Sequence, residues 1–352
     1  MATVPTPPQS LCILRLSAIG DTCHVVPIVR ALQRAWPDTR LTWIIGTLEA
    51  QLMRLLPGVE FITVDKRAGL RGAYALRAAL RGRRFDVLLH LQLSLRASLL
   101  STAIPAALRL GFDRARAREL QWLFTNAQIA ARRNEHVLDS FFGFLEALGI
   151  DDRTATWDLP LPELARAYAA ALVPDARPTL VISPYSSHPL RNWSAARYAR
   201  VSDYAVRRHG MRVILAGGRA EDERLFGAEI ESLAGEPLVN QIGRDTLPQL
   251  LALLARATVL MAPDTGPVHM ATMVGTPVLG LYAATRLARS GPYLSRAWCI
   301  DRYEAAARRF RGCSAEELPW YAKIEEPGVM DLIEVEEVTA RLDQLLHARL
   351  LR

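Results

Sequence analysis

The stretch Met261-Ala262-Pro263-Asp264-Thr265-Gly266-Pro267-Val268-His269 decides how this chain is interpreted. Residues 257–261 form an apolar run that predicts a short buried strand, and residues 268–273 predict a helix. Gly266 and Pro267 stand where that helix begins, so the unbonded N–H groups of its first turn and the positive end of its dipole point out of the turn. The pattern predicts a phosphate-binding strand-to-helix turn. The alternative is that Asp264 or Thr265 is an ordinary N-cap and His269 an ordinary buried histidine.

A second strand-to-helix turn lies near the start of the chain. The apolar run Leu11-Cys12-Ile13-Leu14-Arg15-Leu16 leads into Ser17-Ala18-Ile19-Gly20-Asp21-Thr22-Cys23-His24, and apolar residues then recur at helical spacing. Gly20 would expose Asp21 at the end of the strand. The alternative is that Asp21 only caps the helix that follows it.

A third group of polar residues follows a predicted strand in the second half of the chain. The stretch Ser183-Pro184-Tyr185-Ser186-Ser187-His188-Pro189-Leu190-Arg191-Asn192-Trp193-Ser194 combines hydroxyls, a cation and a helix start. It is also typical of a surface loop in which Ser194 is the N-cap of a helix through Arg200.

Strand and helix patterns alternate through both halves, which favours an α/β protein with parallel sheets. The chain has 352 residues, 50% of them hydrophobic, and this length is sufficient for two domains. Prolines interrupt a weakly periodic region at 151–178 that holds one short helix near 163–172. We therefore expect domains over 11–160 and 178–330, followed by an amphipathic helix in 331–352. Residues 303–326 receive no role from the sequence.

The Ser-Ala-Ile-Gly-Asp and Asp-Thr-Gly-Pro-Val-His turns together resemble those of the bacterial heptosyltransferases of lipopolysaccharide core assembly, glycosyltransferase family 9. The resemblance covers roughly residues 11–281. It implies the GT-B fold, with two doubly wound Rossmann-like domains facing across a crevice. The N-terminal domain would bind the acceptor, the C-terminal domain would bind the nucleotide-sugar, and the last helix would cross back to the N-terminal domain.

The resemblance also implies a donor site. The family residues that match Ser186, Ser187 and Arg191 surround the donor diphosphate, although many members have threonine and lysine there. An acid near the ribose matches Glu221, which is equally well explained as a first-turn acid of a helix. The adenine loop matches Gly243-Arg244-Asp245-Thr246. The remaining donor-binding candidates are Asp264, Thr265, Gly266 and His269.

An inverting transfer needs a carboxylate beside the acceptor hydroxyl and positive charge beside the departing diphosphate. Asp21 is the candidate base, and Arg191 with the Thr265 and Gly266 amides is the candidate leaving-group site. Gly20 and Arg118 are the acceptor-side candidates, the latter because Asp113, Arg118 and Glu119 resemble an acceptor segment of heptosyltransferase I. We expect no metal and no cofactor, since the chain lacks an Asp-x-Asp pair at a comparable strand end.

The basic surplus of the chain lies in its first half. Residues 66–133 hold 14 Lys and Arg against 3 Asp and Glu, including Lys66-Arg67 and clusters near 81–84, 114–118 and 132–133. A nucleic-acid partner is disfavoured because no aromatic residues are interleaved with these arginines. The surplus is explained either as a solvated face or as a surface for an anionic lipid A-linked sugar acceptor at the inner membrane.

The sequence also bears on location and on the remaining function classes. No uninterrupted apolar run reaches the ~18 residues that a membrane span needs, and Met1 to Ser10 lacks a basic signal-peptide region. The four cysteines show no Cys-x-x-Cys spacing. We expect a cytoplasmic enzyme in peripheral contact with the inner membrane, with ADP-heptose as donor. A nucleotide-sugar epimerase and a non-catalytic anionic-surface binding protein remain the alternatives.

Overall fold

The computed structural model describes residues 7–66 and 68–350. The chain divides into two compact units, Met1–Pro160 and Leu161–Arg352. Each unit is built around one six-stranded parallel sheet with helices between its strands. Arg67 of the predicted basic cluster and residues 351–352 of the predicted last helix lie outside the described residues.

The first unit has the strand order β3-β2-β1-β4-β5-β6. Its strands are β1 (Ser10–Leu14), β2 (Arg40–Gly46), β3 (Val59–Val64), β4 (Phe85–His90), β5 (Ala106–Gly111) and β6 (Ala127–Gln128). Its helices are α1 (Ile19–Ala35), α2 (Thr47–Met53), α3 (Gly69–Ala79), α4 (Leu95–Ser101) and α5 (Val137–Glu146). The order reverses between β1 and β4, where a doubly wound sheet opens a crevice at its carboxyl edge.

The second unit has the order β12-β11-β10-β7-β8-β9, the same topology counted from its own first strand. Its strands are β7 (Thr179–Ile182), β8 (Arg212–Leu215), β9 (Val239–Asn240), β10 (Val259–Pro263), β11 (Val278–Tyr282) and β12 (Ile300–Asp301). Its helices are α6 (Glu163–Leu172), α7 (Ala195–His209), α8 (Glu221–Leu233), α9 (Leu247–Arg256), α10 (Gly266–Met273), α11 (Leu287–Ser290), α12 (Tyr303–Arg311) and α13 (Val335–Leu350).

The central strands are apolar along their whole length. Leu11 to Leu14 of β1 and all five residues of β10 are buried. Helices cover both faces of a parallel sheet, so its inner strands carry continuous apolar runs instead of alternating ones. This is why the sequence pattern located these strands correctly.

Three details of the sequence interpretation are wrong. Helix α1 begins at Ile19, so Gly20 and Asp21 belong to its first turn and not to the loop before it. Helix α7 extends to His209, well past Arg200, and Ser194 stands at its N-cap position without a side-chain capping bond. The edge strands β6, β9 and β12 were not predicted, because two residues are too few to show a period.

Helix α13 packs in the core of the second unit. Val338, Leu342 and Leu345 are buried there, and Tyr204 of α7 donates a hydrogen bond to Asp343 at 2.8 Å. The predicted crossing of this helix to the N-terminal domain stays a prediction. Of the helices in the described part of the chain, none is both long and apolar enough to span a membrane.

Candidate active site

In the first unit, Asp21 is held from two sides at the carboxyl end of β1. Its carboxylate forms an ion pair with the guanidinium of Arg15 and accepts the N–H of Ala18 at 3.3 Å. The contact with Ala18 is the capping interaction that the sequence offered as an alternative role. A third of the Asp21 side chain remains exposed, so the cap does not enclose the carboxylate.

Arg15 was not a candidate from the sequence, because it follows an apolar strand with no motif of its own. The residue is buried, and its Nη1 donates to the carbonyl of Leu91 at 2.5 Å, just past the end of β4. Gln92 accepts the N–H groups of Leu16 at 2.9 Å and Ser17 at 3.3 Å. Residues from two neighbouring strand ends therefore hold the turn that carries Asp21.

The predicted acceptor segment follows β5. Asp113 is buried and accepts the N–H of Ala115 at 3.1 Å, while Glu119 accepts the N–H of Leu95 at 2.6 Å, at the start of α4. Both acids therefore stabilise the local backbone. Arg118, between them, is exposed, and Gly20 is buried beside Asp21.

Part of the basic surplus in this unit is used inside the fold. Arg83 pairs with Glu60, and Arg132 pairs with Glu146 at 2.8 Å. Arg109 donates to the carbonyls of Phe124 at 2.8 Å, Ile104 at 2.8 Å and Ser101 at 2.9 Å. Eight further arginines of the region are exposed: Arg71, Arg77, Arg81, Arg84, Arg96, Arg114, Arg118 and Arg133. The cluster is thus partly a set of ion pairs and partly a basic surface.

In the second unit, the turn between β10 and α10 has the predicted form. Thr265 occupies the N-cap position with extended backbone, yet its side chain makes no capping bond. Its Oγ1 is buried with no hydrogen-bond partner among the described residues. Asp264 instead accepts a hydrogen bond from Ser290 Oγ at 3.2 Å, and His269 is buried in the first turn of α10. No side chain caps this helix. The N–H of Val268 bonds to the carbonyl of Thr265 at 3.3 Å, and Pro267 has no N–H, so the N–H of Gly266 is the one at the start of α10 that is left for another acceptor.

The serine-rich loop after β7 begins beside this turn, because Ile182 pairs with Met261 across the two strands. Ser186 is buried, donates its N–H to Asn192 Oδ1 at 2.6 Å, and accepts the N–H of His188 at 3.4 Å. Ser187 is exposed. In this unit, the β10–α10 turn and the serine-rich loop after β7 therefore both lie at the carboxyl edge of one sheet. Doubly wound sheets bind their ligands at this edge.

Arg191 is paired with a carboxylate that the sequence did not identify. Its Nε donates to Glu325 Oε1 at 2.7 Å, and His188 Nε2 lies 3.5 Å from the other oxygen of Glu325. Although burial alone would raise it, the pKa of Glu325 is lowered by the hydrogen bond and charge of Arg191. Arg191 and Glu325 are 134 positions apart, so no local pattern could have joined them.

Asp245 and Glu221 have different surroundings. Asp245 is buried, its Oδ2 has no hydrogen-bond partner among the described residues, and burial raises its pKa to about 7. Glu221 is exposed and lies 3.8 Å from Arg224, as a first-turn acid would. Glu223, two residues further along α8, accepts the N–H of Gly218 in the loop after β8, and burial raises the pKa of this carboxyl.

A cavity of about 310 Å³ opens beside the predicted adenine loop. It is lined by Arg224, Asn240, Ile242, Gly243 and Arg244. Over residues 7–66 and 68–350, no group of three or more His, Cys, Asp or Glu side chains is arranged to hold a metal ion.

Comparison with known proteins agrees with this architecture. The model of "Glycosyltransferase family 9 (heptosyltransferase)" matches residues 73–318. The chain is 37% identical to the lipopolysaccharide core heptosyltransferase OpsX of Haemophilus influenzae, across 96% of this chain and 97% of that protein.

Two solved structures are similar over nearly the whole chain. A glycosyl transferase family 9 structure from Veillonella parvula matches with a TM-score of 0.81 and 22% identity, covering 97% of this chain and 98% of the other. The heptosyltransferase WaaC of E. coli with ADP matches with a TM-score of 0.74 and 19% identity, covering 96% and 99%. These likenesses confirm the predicted fold.

Proposed function

The chain belongs to glycosyltransferase family 9, the heptosyltransferase family, and from this premise we propose that it transfers heptose from ADP-heptose to the inner core of lipopolysaccharide. Membership makes it a transferase and removes the epimerase and the non-catalytic binding protein from consideration. The observation that carries the proposal is the 37% identity, over 96% of the chain, to a lipopolysaccharide core heptosyltransferase.

The second unit holds the donor in this proposal. The diphosphate binds at the carboxyl edge of β7 and β10, where the N–H groups of Thr265 and Gly266 open α10. Buried Ser186 and exposed Ser187 supply hydroxyls, and His269 stands behind the turn. The uncapped start of α10 supports this assignment, since an anion there satisfies N–H groups that no side-chain cap occupies.

The nucleoside part is assigned to the neighbouring strands. The cavity beside Gly243 and Arg244 is large enough for a base, and the buried carboxyl of Asp245 stands in the same loop. Asp264, held by Ser290, orients sugar hydroxyls. In this proposal Glu221, at the start of α8, contacts the ribose.

The first unit supplies the base. The acceptor oxygen bonds to the anomeric carbon while the bond from that carbon to the diphosphate oxygen breaks. Asp21 takes the acceptor proton, and the electron pair leaves with ADP, so the anomeric configuration inverts. The ion pair with Arg15 holds the Asp21 carboxylate in one orientation. In this proposal Arg191 and the α10 amides stabilise the leaving ADP without a metal ion.

The acceptor is an anionic lipid A-linked sugar. Gly20 beside the base and exposed Arg118 are the proposed acceptor-side residues. The exposed arginines of the first unit support peripheral contact with the inner membrane, because guanidinium groups pair with phosphates and carboxylates.

The test measures ADP release from ADP-heptose, with and without lipid A carrying inner-core acidic sugars. Wild type should release ADP only when acceptor is present. Asp21→Asn keeps an acceptor atom for Ala18 N–H, so it should retain donor binding and lose transfer by roughly 10²–10⁴-fold. Asp38→Asn, in an exposed turn, is the control.

Two results would count against the proposal. If wild type binds ADP-heptose but releases no ADP when this acceptor is present, the proposed acceptor is wrong. Full transfer by Asp21→Asn would show that Asp21 is only a helix cap.

A further inference from the structure

The segment 322–326 runs along the carboxyl end of β11. Ile324 is fully buried and donates its N–H to the carbonyl of Ala284 at 2.8 Å. Tyr303 donates its hydroxyl to the carbonyl of Ala322 at 2.9 Å, and Arg311 pairs with Glu326 at 2.6 Å. The segment is therefore anchored to the second unit at three alternate positions, by Ala284 just past β11 and by two residues of α12.

This anchoring sets two charged residues beside the edge where Arg191 and Asp264 lie. Lys323 and Glu325 flank the buried Ile324, and Glu325 bonds Arg191 directly. Lys323 stands two residues before Glu325, and the charges of Arg191, Glu325, Asp264 and Arg289 all act on its pKa. It is thus part of the charge cluster at the proposed diphosphate site, although it comes from a stretch for which the sequence offered no role.

The charges of this cluster identify what Lys323 contributes. Arg191 and Glu325 form an ion pair with no net charge, and the other two charges that act on Lys323, those of Asp264 and Arg289, have opposite signs. Without Lys323 these four groups sum to zero, whereas with it they sum to +1. A nucleotide-sugar diphosphate carries two negative charges, so the additional positive charge of Lys323 would strengthen its attraction to this edge.

The surroundings of the Lys323 ammonium agree with a role in binding an anion. Its ammonium forms no hydrogen bond or ion pair with any residue in 7–66 or 68–350. Partial desolvation, followed by the charge of Arg191, lowers the pKa of Lys323. An anion placed beside the ammonium would relieve both effects.

Composition adds a second observation. The chain uses arginine almost throughout, and Lys66 and Lys323 are its two lysines. Lysine presents a compact point charge with freely rotating donors, which suits a flexible diphosphate, whereas arginine presents a rigid planar fork.

We propose that Lys323 binds the diphosphate of the nucleotide-sugar donor and supplies the net positive charge that the Arg191–Glu325 pair cannot. This inference rests on the proposed function. As the bond from the anomeric carbon breaks, the negative charge on the departing diphosphate grows, so Lys323 contributes to turnover as well as to binding.

The first experiment needs no variant. Amines of the wild-type protein are acetylated with limiting acetic anhydride, with and without ADP, and labelling at each lysine is followed by mass spectrometry. ADP should slow labelling of Lys323 at least several-fold and leave Lys66, in the first unit and paired with Glu49, unchanged. Equal labelling of Lys323 with and without ADP would overturn the proposal.

The second experiment compares ADP affinities by calorimetry. Lys323→Met should weaken ADP binding about ten-fold or more, because a charge-assisted contact is lost. Lys323→Arg keeps the positive charge but not the compact ammonium, so it should recover part of the lost affinity. Arg309→Met, which removes an exposed cation from α12, is the matched control and should bind ADP as wild type does. Unchanged affinity in Lys323→Met would contradict the proposal.

The outcomes separate this inference from the proposed function. If ADP protects Lys323 but no heptose is transferred, the diphosphate site is supported and the proposed reaction is contradicted. If wild type transfers heptose but ADP does not protect Lys323, the proposed reaction is supported and the role of Lys323 is contradicted.

Discussion

Asp245 is a buried carboxyl group whose ionisation opposes folding. Burial raises its pKa to about 7, well above its ordinary value of 3.8. The folded protein therefore binds a proton that the unfolded chain releases between about pH 4 and pH 7. The group penalises folding increasingly as the pH rises through this window, and the penalty is complete above it.

Asp245→Asn removes the ionisation while keeping the shape of the side chain. We expect the variant to be more stable than wild type at pH 8, by roughly 1–3 kcal/mol, and nearly equal to it at pH 4. Urea unfolding at both pH values measures this. The exposed Asp38→Asn should show no such gain. A stability difference that is the same at both pH values would mean that the ionisation of Asp245 is not the cause.

At the scale of elements, helices α9 and α10 begin in different ways. Thr246 Oγ1 accepts the N–H of Gln249 at 3.4 Å, and Gln249 Oε1 accepts the N–H of Thr246 at 2.9 Å, which forms a capping box. Thr265 stands at the same position of α10 and makes no such bond. The residue three positions after Thr265 is Val268, whose apolar side chain cannot accept the N–H of Thr265. The start of α9 therefore has a side-chain cap, while the start of α10 has none.

The two threonines form a matched pair for mutation. Thr246→Ala should cost about 1 kcal/mol of stability and leave ADP binding intact. Thr265→Ala should cost little stability and weaken ADP binding, because its buried Oγ1 has no partner in the protein. Urea unfolding and calorimetry measure the two effects. The reverse pattern would show that Thr265 is the structural cap.

At the scale of the whole molecule, each unit has its own sheet and its own motif turn. The proposed nucleotide contacts all come from residues 161–352. A ligand that binds only the folded form stabilises it by RT ln(1 + [L]/Kd), about 2.7 kcal/mol at a hundred-fold excess over Kd. That stabilisation should be concentrated in the unit that makes the contacts.

Hydrogen exchange with saturating ADP tests this placement. Amides of β7, β10 and the start of α10 should exchange more slowly, while those of β1 and β4 should be little changed. Peptide-resolved mass spectrometry reads both units in one sample, so each serves as the control for the other. Protection confined to residues 1–160 would move the nucleotide site to the first unit.

Much of the architecture followed from local sequence. The inner strands are continuous apolar runs because helices cover both faces of a parallel sheet. The strands β1, β7 and β10 could therefore be located from these runs in the sequence. Proline, glycine and a hydroxyl at a strand end marked the β10–α10 turn for the same local reason. The edge strands β6, β9 and β12 could not be found, since two residues carry no period.

By itself, the sequence determined the strand-to-helix order of both halves, the two motif turns and the family they resemble, because these depend on residues within a few positions of one another. Only the tertiary structure decided which charges meet. Arg191 pairs with Glu325, which is 134 positions away, Arg15 pairs with Asp21, and a segment anchored just past β11 sets Lys323 near the Arg191–Glu325 pair. Partners of this kind are chosen by packing between distant elements, and no local pattern encodes them.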